Sequence, residues 1–430
     1  MPQKLVIIGA GMALGRLLDH LVAGDTDAYD VTLFNAEKRG TYNRLMLSPV
    51  LSGEKTYADI VTHDDAWYAK NGVTCRFDER VLSVDPVTKM VTGQNGAVAY
   101  DKLVIATGST PFIIPLPGHD LPGVIAYRDL EDTQEMINLG QKPQARAVVI
   151  GGGVLGLEAA AGMAAQGIDV TVVHNCGHLM ERQLDAPAGG LLKLDLEARG
   201  ITVLCDANSQ EILAGTDGRV RALMLADGTE LPCDLLVMAV GVRPNTALAA
   251  PAGLDVNKGI VVDDAMRTSA PDIYALGECV EHRGAVFGLV APLYDQAEVL
   301  AKTLLGDTAV FTPKQLSTKL KVTGCDVFSA GDFSDGDDRQ NIVFQDKEHG
   351  VYKRLVIQGN HLVGAVMYGD TADGAWFYSH ITNGTDITPL RDQLIFGPAF
   401  ETDFARLPLS SIASDVAAPI HPQHNLKGVA

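Results

Sequence analysis

Clustered cysteine is what this sequence most conspicuously lacks. Its six cysteines, Cys75, Cys176, Cys205, Cys233, Cys279 and Cys325, form no CxxC or CxxxxC pair. That spacing excludes a disulfide framework, a zinc site or an iron–sulfur site built on neighbouring thiols, and points to a reducing compartment, the cytoplasm. Positive charge is also scarce: 34 Lys and Arg stand against 53 Asp and Glu, a formal net charge of −19. A surface that negative repels phosphate backbones and anionic lipid headgroups, so neither nucleic acid nor a membrane surface is an expected partner. Long apolar runs are missing too. The most apolar region, residues 147–167, is interrupted by Glu158 and by several glycines, so no membrane span is expected.

What remains is the composition of an enzyme. The 430 residues are 47% apolar and 20% charged, with 44 Gly, which suits two or three tightly turned α/β domains, each with its own core. The opening stretch KLVIIGAGMALG, from Lys4, imitates a short secretory leader. A second copy of its grammar argues against that reading. RAVVIGGGVLGLEAAAGMAAQGIDVTVVH, from Arg146, repeats an apolar strand, a glycine turn, an Ala-rich helix and a second strand. Such turns let a backbone approach a pyrophosphate, whose charge is met by the free N–H groups at the helix start.

The two copies differ in detail. The second satisfies GxGxxG through Gly151, Gly153 and Gly156. The first has Gly9 and Gly11, but Leu14 stands at the sixth position and the glycine comes one residue later, at Gly15. An acid is expected after the second strand of each unit, where it would meet the adenosine ribose. Glu37 is the candidate in the first copy, with Asn35 the nearer polar residue and a solvated loop acid the plain alternative. In the second copy His174 and Asn175 occupy the place of the carboxylate, and no Arg cluster replaces it. NADH is accordingly favoured over NADPH, and His174 is either a nucleotide contact or an ordinary surface residue.

Three further segments complete the pattern: YDKLVIATGSTP from Tyr100, LLVMAVGVRPN from Leu235 with Gly241 in its turn, and TSAPDIYALGEC from Thr268. Together with both glycine turns they resemble the pyridine nucleotide–disulfide oxidoreductase superfamily. More narrowly, YNRLMLSPVLSGE, GGGVLGLEAA, LMERQLD, GLVAPLYDQA and STKLKVTGCDVFSAGD are similar to the N-terminal flavin module of the NADH-dependent assimilatory nitrite reductase large subunit. The resemblance spans roughly residues 3–400.

It implies an α/β protein with two nested Rossmann-like domains. FAD would be bound by 1–110 and 240–308, NAD(P)H by 111–239, and a smaller α+β interface domain would cover 309–402, where strand-like alternation returns. Residues 403–430 lack periodicity and read as a tail, mobile or ordered on a partner. By the same resemblance, Gly9 and Gly11 would face the FAD pyrophosphate and Arg44 its phosphates. Thr107 and Gly108 would line the flavin crevice, and Gly277 and Glu278 would form the motif in which an acid meets the ribityl chain.

Hydride transfer needs geometry more than side-chain chemistry, with donor and acceptor atoms held about 3–3.5 Å apart in a dry crevice. Glu158 resembles the superfamily glutamate that reaches the nicotinamide and pairs with a lysine beside the flavin; Lys55 is the lysine candidate, its alternative a solvated loop residue. Superfamily disulfide reductases carry redox cysteines on a helix of the first domain, yet Met1 through Thr74 contain none, and Cys75 lies in a strand-like stretch. The expectation is therefore direct electron delivery from reduced FAD to an external acceptor; the resemblance to the nitrite reductase flavin module implies that this acceptor is an iron–sulfur, rubredoxin-like or sirohaem protein in nitrate or nitrite assimilation. Rubredoxin or ferredoxin reduction is the neighbouring alternative, and a flavin-bearing structural or regulatory subunit the alternative of another class. Lys314, Lys319, Lys321, Lys353 and Arg354 either dock an acidic carrier or are ordinary solvated strand faces. Related third domains support dimers, which makes a homodimer an expectation by analogy.

Overall fold

In the computed structural model, residues 2–25, 28–314, 317–322 and 324–398 are described. They divide into two units, Met1–Lys314 and Gln315–Ala430. The tail expected at 403–430 lies outside the described residues.

Apolar runs buried on both faces build the first unit around parallel sheets, because parallel strands need crossovers that cover them with helices. The strand Gln3–Ile8 pairs in parallel with Tyr29–Phe34 on one side and Lys102–Ile105 on the other. Val73–Arg76 and Ile273–Ala275 extend the two edges to make five strands. Leu5, Ile7, Leu33 and Leu103 are fully buried in its core. The second sheet repeats the plan. Arg146–Ile150 lies between Asp169–Val173 and Leu235–Met238, with Thr202–Leu204 and Val124–Ala126 outside them, all parallel.

The second sheet is nested inside the first in sequence. All its strands fall between Lys102–Ile105 and Ile273–Ala275, which are neighbours in the first sheet with Leu103 opposite Ile273. Where the chain passes between the two halves, Ser109–Pro111 and Val242–Pro244 pair as an antiparallel ribbon. The fold class is therefore α/β with two Rossmann-like sheets, followed by a separate antiparallel sheet. Among the described residues no helix is long and apolar enough to cross a membrane.

In the second unit five antiparallel strands run in the order Thr318–Val322, Cys325–Gly331, His361–Tyr368, Val351–Gln358, Arg339–Asp346. The helix Gly374–Asn383 covers the sheet, burying Phe377 with Phe328, Leu355 and Met367. It ends at Gly384, whose φ of 58° is the left-handed C-terminal stop that glycine takes without penalty. Two of the basic residues considered for carrier docking are spent inside this unit. Lys353 is buried with its Nζ 2.7 Å from Asp370 and 3.2 Å from Asp373. Arg354 lies 2.5 Å from Asp335 with only 11% of its side chain exposed. Their charges are matched locally, so neither belongs to a free basic surface. Lys314 reaches Asp295 at 3.6 Å, whereas Lys319 is exposed.

Candidate functional site

The two glycine turns are the same physical device used twice. Gly9 has φ +104°, and a Cβ there would lie 2.3 Å from the Ala106 carbonyl oxygen; Gly151 has φ +124°, and its Cβ would lie 2.3 Å from the Ala239 oxygen. Each turn thus presses one strand end against the end of its sheet neighbour, an approach that only glycine permits. Both following helices, Met12–Gly24 and Val154–Ala165, start at a glycine with no side-chain cap and no acid in the first turn. By contrast, helices starting after Asp64, Asp129 and Asp185 are closed by those carboxylates. A Cβ added at Gly11 or Gly153 would meet nothing within 4 Å. Open N–H groups, a positive helix end and empty space in front of it fit a dinucleotide pyrophosphate.

The departure at Leu14 has a local cause. At the second glycine turn Gly156 lets helix and strand touch, since its Cβ would sit 2.1 Å from the Gly151 oxygen. At the first glycine turn Leu14 is fully buried at the corresponding place. The glycine is needed one residue on, because a Cβ at Gly15 would lie 3.3 Å from the His63 ring. That imidazole is fixed by Thr41 Oγ1 at 2.7 Å and Asp19 Oδ1 at 2.8 Å.

At the carboxyl ends of the first sheet, the expected FAD residues gather from four segments. Glu37 accepts a hydrogen bond from the Tyr42 hydroxyl at 2.9 Å and pairs with the Arg44 guanidinium. Arg44 also donates to the Tyr42 hydroxyl at 2.8 Å and to the Arg128 carbonyl at 3.2 Å. Asn35 is buried and donates to the Arg39 carbonyl at 2.6 Å. Thr107 donates to the Asn245 carbonyl at 2.9 Å, and Gly108 follows with φ +63°. Glu278 accepts from Arg128 Nη2 at 2.6 Å and Ser109 Oγ at 2.7 Å. The Gly277 N–H donates to Gln296 Oε1 at 2.8 Å, and the Gln296 side chain is fully buried with no hydrogen-bond partner for its Nε2. A donor left unsatisfied in a core is costly, so an orphan beside this glycine fits a site completed by a polar ligand.

The second sheet meets this cluster at one seam. Ser48, on the short helix Leu47–Leu51, donates to Glu158 Oε2 at 2.8 Å, and its oxygen lies 3.2 Å from the Tyr127 hydroxyl. Burial pushes the Glu158 carboxyl up, and the Ser48 hydrogen bond opposes that shift. Gly162 is required there as well, since its Cβ would fall 2.6 Å from the Leu51 side chain. Lys55 is exposed, and its backbone N–H donates to the Pro49 carbonyl at 3.1 Å. No hydrogen bond or ion pair joins Lys55 to Glu158 among the described residues; the partner that the structure gives Glu158 is Ser48.

On the far side of the second turn, Gly241 has φ +109°, and its carbonyl accepts from the Phe112 N–H at 2.9 Å. His174 is buried, with Nδ1 3.2 Å from the Gly152 N–H and Nε2 3.1 Å from Glu181 Oε2. Ser48, Tyr127, Arg128, Gln296 and Glu181 had not been singled out from the sequence. Each is common in type and distant in the chain from what it touches, so no spacing rule marks it.

Burial disfavours the thiolate at two of the cysteines. Cys75 lies in the strand Val73–Arg76, and burial pushes its thiol up to about 11. Burial also pushes Cys233 up to about 12. A thiol needs a lowered pKa to relay electrons as thiolate. Cys75→Ala is therefore expected to keep the rate of flavin bleaching by NADH within about twofold of wild type in anaerobic stopped flow. A tenfold drop with unchanged flavin content would restore a thiol relay.

Comparisons with known proteins agree with this geometry. Residues 3–298 match the family model of pyridine nucleotide-disulphide oxidoreductases, and 317–385 match the rubredoxin NAD+ reductase C-terminal domain. The chain is 46% identical over 388 residues to "Nitrite reductase [NAD(P)H]" of Bacillus subtilis, covering 90% of this chain and 48% of that protein. It is 39% identical over 406 residues to the "Assimilatory nitrate reductase electron transfer subunit" of the same organism, covering 93% and 52%. The chain thus spans about half the length of these curated relatives. Among solved structures, NADH:rubredoxin oxidoreductase from Clostridium acetobutylicum superposes with a TM-score of 0.75 at 28% identity, covering 90% of this chain and 97% of that one. With its two glycine turns, their open helix starts and a family match across most of its length, this chain belongs to the pyridine nucleotide-disulphide oxidoreductases.

Proposed function

We propose that this protein takes hydride from NAD(P)H onto FAD and passes the electrons to a separate redox protein in nitrate or nitrite assimilation. The observation that carries this reading is the seam: an open dinucleotide turn on each sheet, with Ser48 of one half bonded to Glu158 of the other. Relatives named for nitrite reduction and for electron transfer to nitrate reductase support the setting. FAD, when bound, supplies a carrier that nicotinamide reduces by two electrons and that one-electron proteins can drain.

The residues of this chain do the placing. The helix starts at Gly11 and Gly153 would hold the two pyrophosphates. Glu37 and Arg44 would hold the adenosine end of FAD, and Glu278, Arg128 and Gln296 its ribityl and flavin end. Glu158, kept dry and oriented by Ser48, would shape the nicotinamide pocket. Six free cysteines fit a reducing cytoplasm. Anaerobic mixing of the FAD-loaded protein with NADH is expected to bleach the flavin within seconds, and added rubredoxin, ferredoxin or a sirohaem subunit to restore its colour. A flavin-loaded protein that neither NADH nor NADPH bleaches would overturn the proposal and favour a structural subunit. A second reading, a rubredoxin reductase, draws on the match at 317–385 and the coverage of the rubredoxin oxidoreductase structure. Fastest recolouring by rubredoxin would select it.

A further inference from the structure

We propose that Glu181, held by His174, selects NADH over NADPH, standing in for the carboxylate that is missing from the end of the second nucleotide strand. The inference rests on the reading of the second glycine turn as a nicotinamide nucleotide site. In such a unit an acid after the second strand grips the ribose hydroxyls and repels a 2′-phosphate. Here the strand Asp169–Val173 runs into His174, which cannot do that alone.

The surroundings of His174 are built rather than incidental. The Gly152 backbone N–H can only donate, and it points at Nδ1 from 3.2 Å. The neutral ring must therefore carry its proton on Nε2, where it donates to Glu181 Oε2 at 3.1 Å. The loop is folded back to make this possible: the Met180 N–H donates to the Gly152 carbonyl at 2.9 Å, and Met180 is fully buried at φ +54°. Gly152 must be glycine for both contacts, since its Cβ would lie 2.7 Å from the His174 ring and 2.7 Å from Leu179. A residue seven positions beyond His174 thus brings its carboxylate back to the strand end. Its side chain keeps 35% of its surface exposed, and the imidazole engages only one of its two carboxylate oxygens, which leaves the second to serve a ribose diol.

Two features of the same loop compete with this reading. Arg182 is exposed beside Glu181 and would attract a 2′-phosphate. The ligand-capable atoms of His174, Cys176 and Glu181 lie within 4.8 Å of one another, a spacing that suits a metal ion. The fixed tautomer speaks against the metal, because Nδ1 already accepts from the Gly152 N–H and Nε2 carries the proton that hydrogen-bonds to Glu181.

Calorimetric titration of the FAD-loaded full chain with NAD+ and with NADP+ separates these readings without relying on turnover. Wild type is expected to bind NAD+ at least tenfold more tightly. Glu181→Gln should cut that preference by about tenfold, mainly by weakening NAD+, since a hydrogen bond to a charged acceptor is lost. Glu181→Asp keeps the charge and should keep most of the preference, and Arg182→Ala should leave it in place. An unchanged preference in Glu181→Gln, with flavin content and melting temperature intact, would overturn the inference while leaving the nucleotide site standing. Tighter binding of NADP+ by wild type, or Zn2+ bound one to one and lost in Glu181→Gln with the nucleotide preference unmoved, would overturn it too. Failure of wild type to bind either nucleotide would bring down the proposed function along with it.

Discussion

Gly151→Ala is expected to give a yellow protein that NADH no longer bleaches. A methyl group at this position would sit 2.3 Å from the Ala239 oxygen and 2.8 Å from its carbonyl carbon, both backbone atoms that cannot swing aside. The φ of +124° adds a penalty of its own for any residue with a Cβ. Overpacking of this kind costs about 1–3 kcal/mol, and the left-handed backbone about 1–2 kcal/mol more. The turn should respond by moving out of the position from which its helix start meets the nucleotide. A loss of at least ~100-fold in NADH affinity is expected, with FAD retained, because the first turn lies on another sheet. Gly9→Ala is the mirror experiment. Its Cβ would meet the Ala106 oxygen at 2.3 Å with φ +104°, and it should lose FAD. Flavin content after gel filtration and nucleotide titration read the two outcomes separately. Near wild-type NADH bleaching by Gly151→Ala would mean that the turn does not closely approach the nucleotide.

Glu158→Gln should make the protein slower and more stable together. The carboxyl is largely buried and accepts one hydrogen bond, from Ser48 at 2.8 Å; burial, the larger influence, raises its pKa above the ordinary carboxylate value. A raised folded-state pKa means that the folded protein holds this proton more tightly than the unfolded chain does. Its favourable contribution is therefore complete below the ordinary glutamate pKa and is lost as pH rises through the folded value. At pH 7–8 wild type retains the cost of a buried charge, and glutamine removes it. The variant should melt higher than wild type at pH 7–8, with the gain shrinking as pH falls towards 4. Flavin reduction by NADH should fall at least ~10-fold, as for a misplaced positioning group, in line with the usual opposition of stability and activity at such sites. Ser48→Ala should lower the rate in the same direction while leaving Glu158 without its donor. Equal rates for wild type and Glu158→Gln would remove the seam from the mechanism.

Much of the site was legible because its cause is local. A strand that ends in glycine and runs into an uncapped helix is written in consecutive residues, so Gly9, Gly11, Gly151, Gly153 and Gly156 could be read directly. Position after the second strand also marked Glu37, and the family resemblance marked Glu158. Neither revealed their partners. Arg44 was expected beside phosphates, and the fold pairs it with Glu37. Lys55 was either a partner of Glu158 or a solvated loop lysine; the fold leaves it exposed and places Ser48 beside Glu158. Lys353 and Arg354 could be carrier-docking residues or ordinary solvated strand faces, and the antiparallel sheet instead brings Asp370, Asp373 and Asp335 to them.

By itself the sequence determined the period of the strands, the positions where only glycine can turn, the absence of a thiol pair and the repetition of one unit, because each depends on bonds and sterics within a few residues. Only the tertiary structure decided that Leu14 is tolerated while Gly15 makes room for His63, that Gln296 stands under Gly277, and that Glu181 returns a carboxylate to a strand that ends in histidine. Those pairings join atoms far apart in the chain, and they are set by how whole sheets and loops pack against one another.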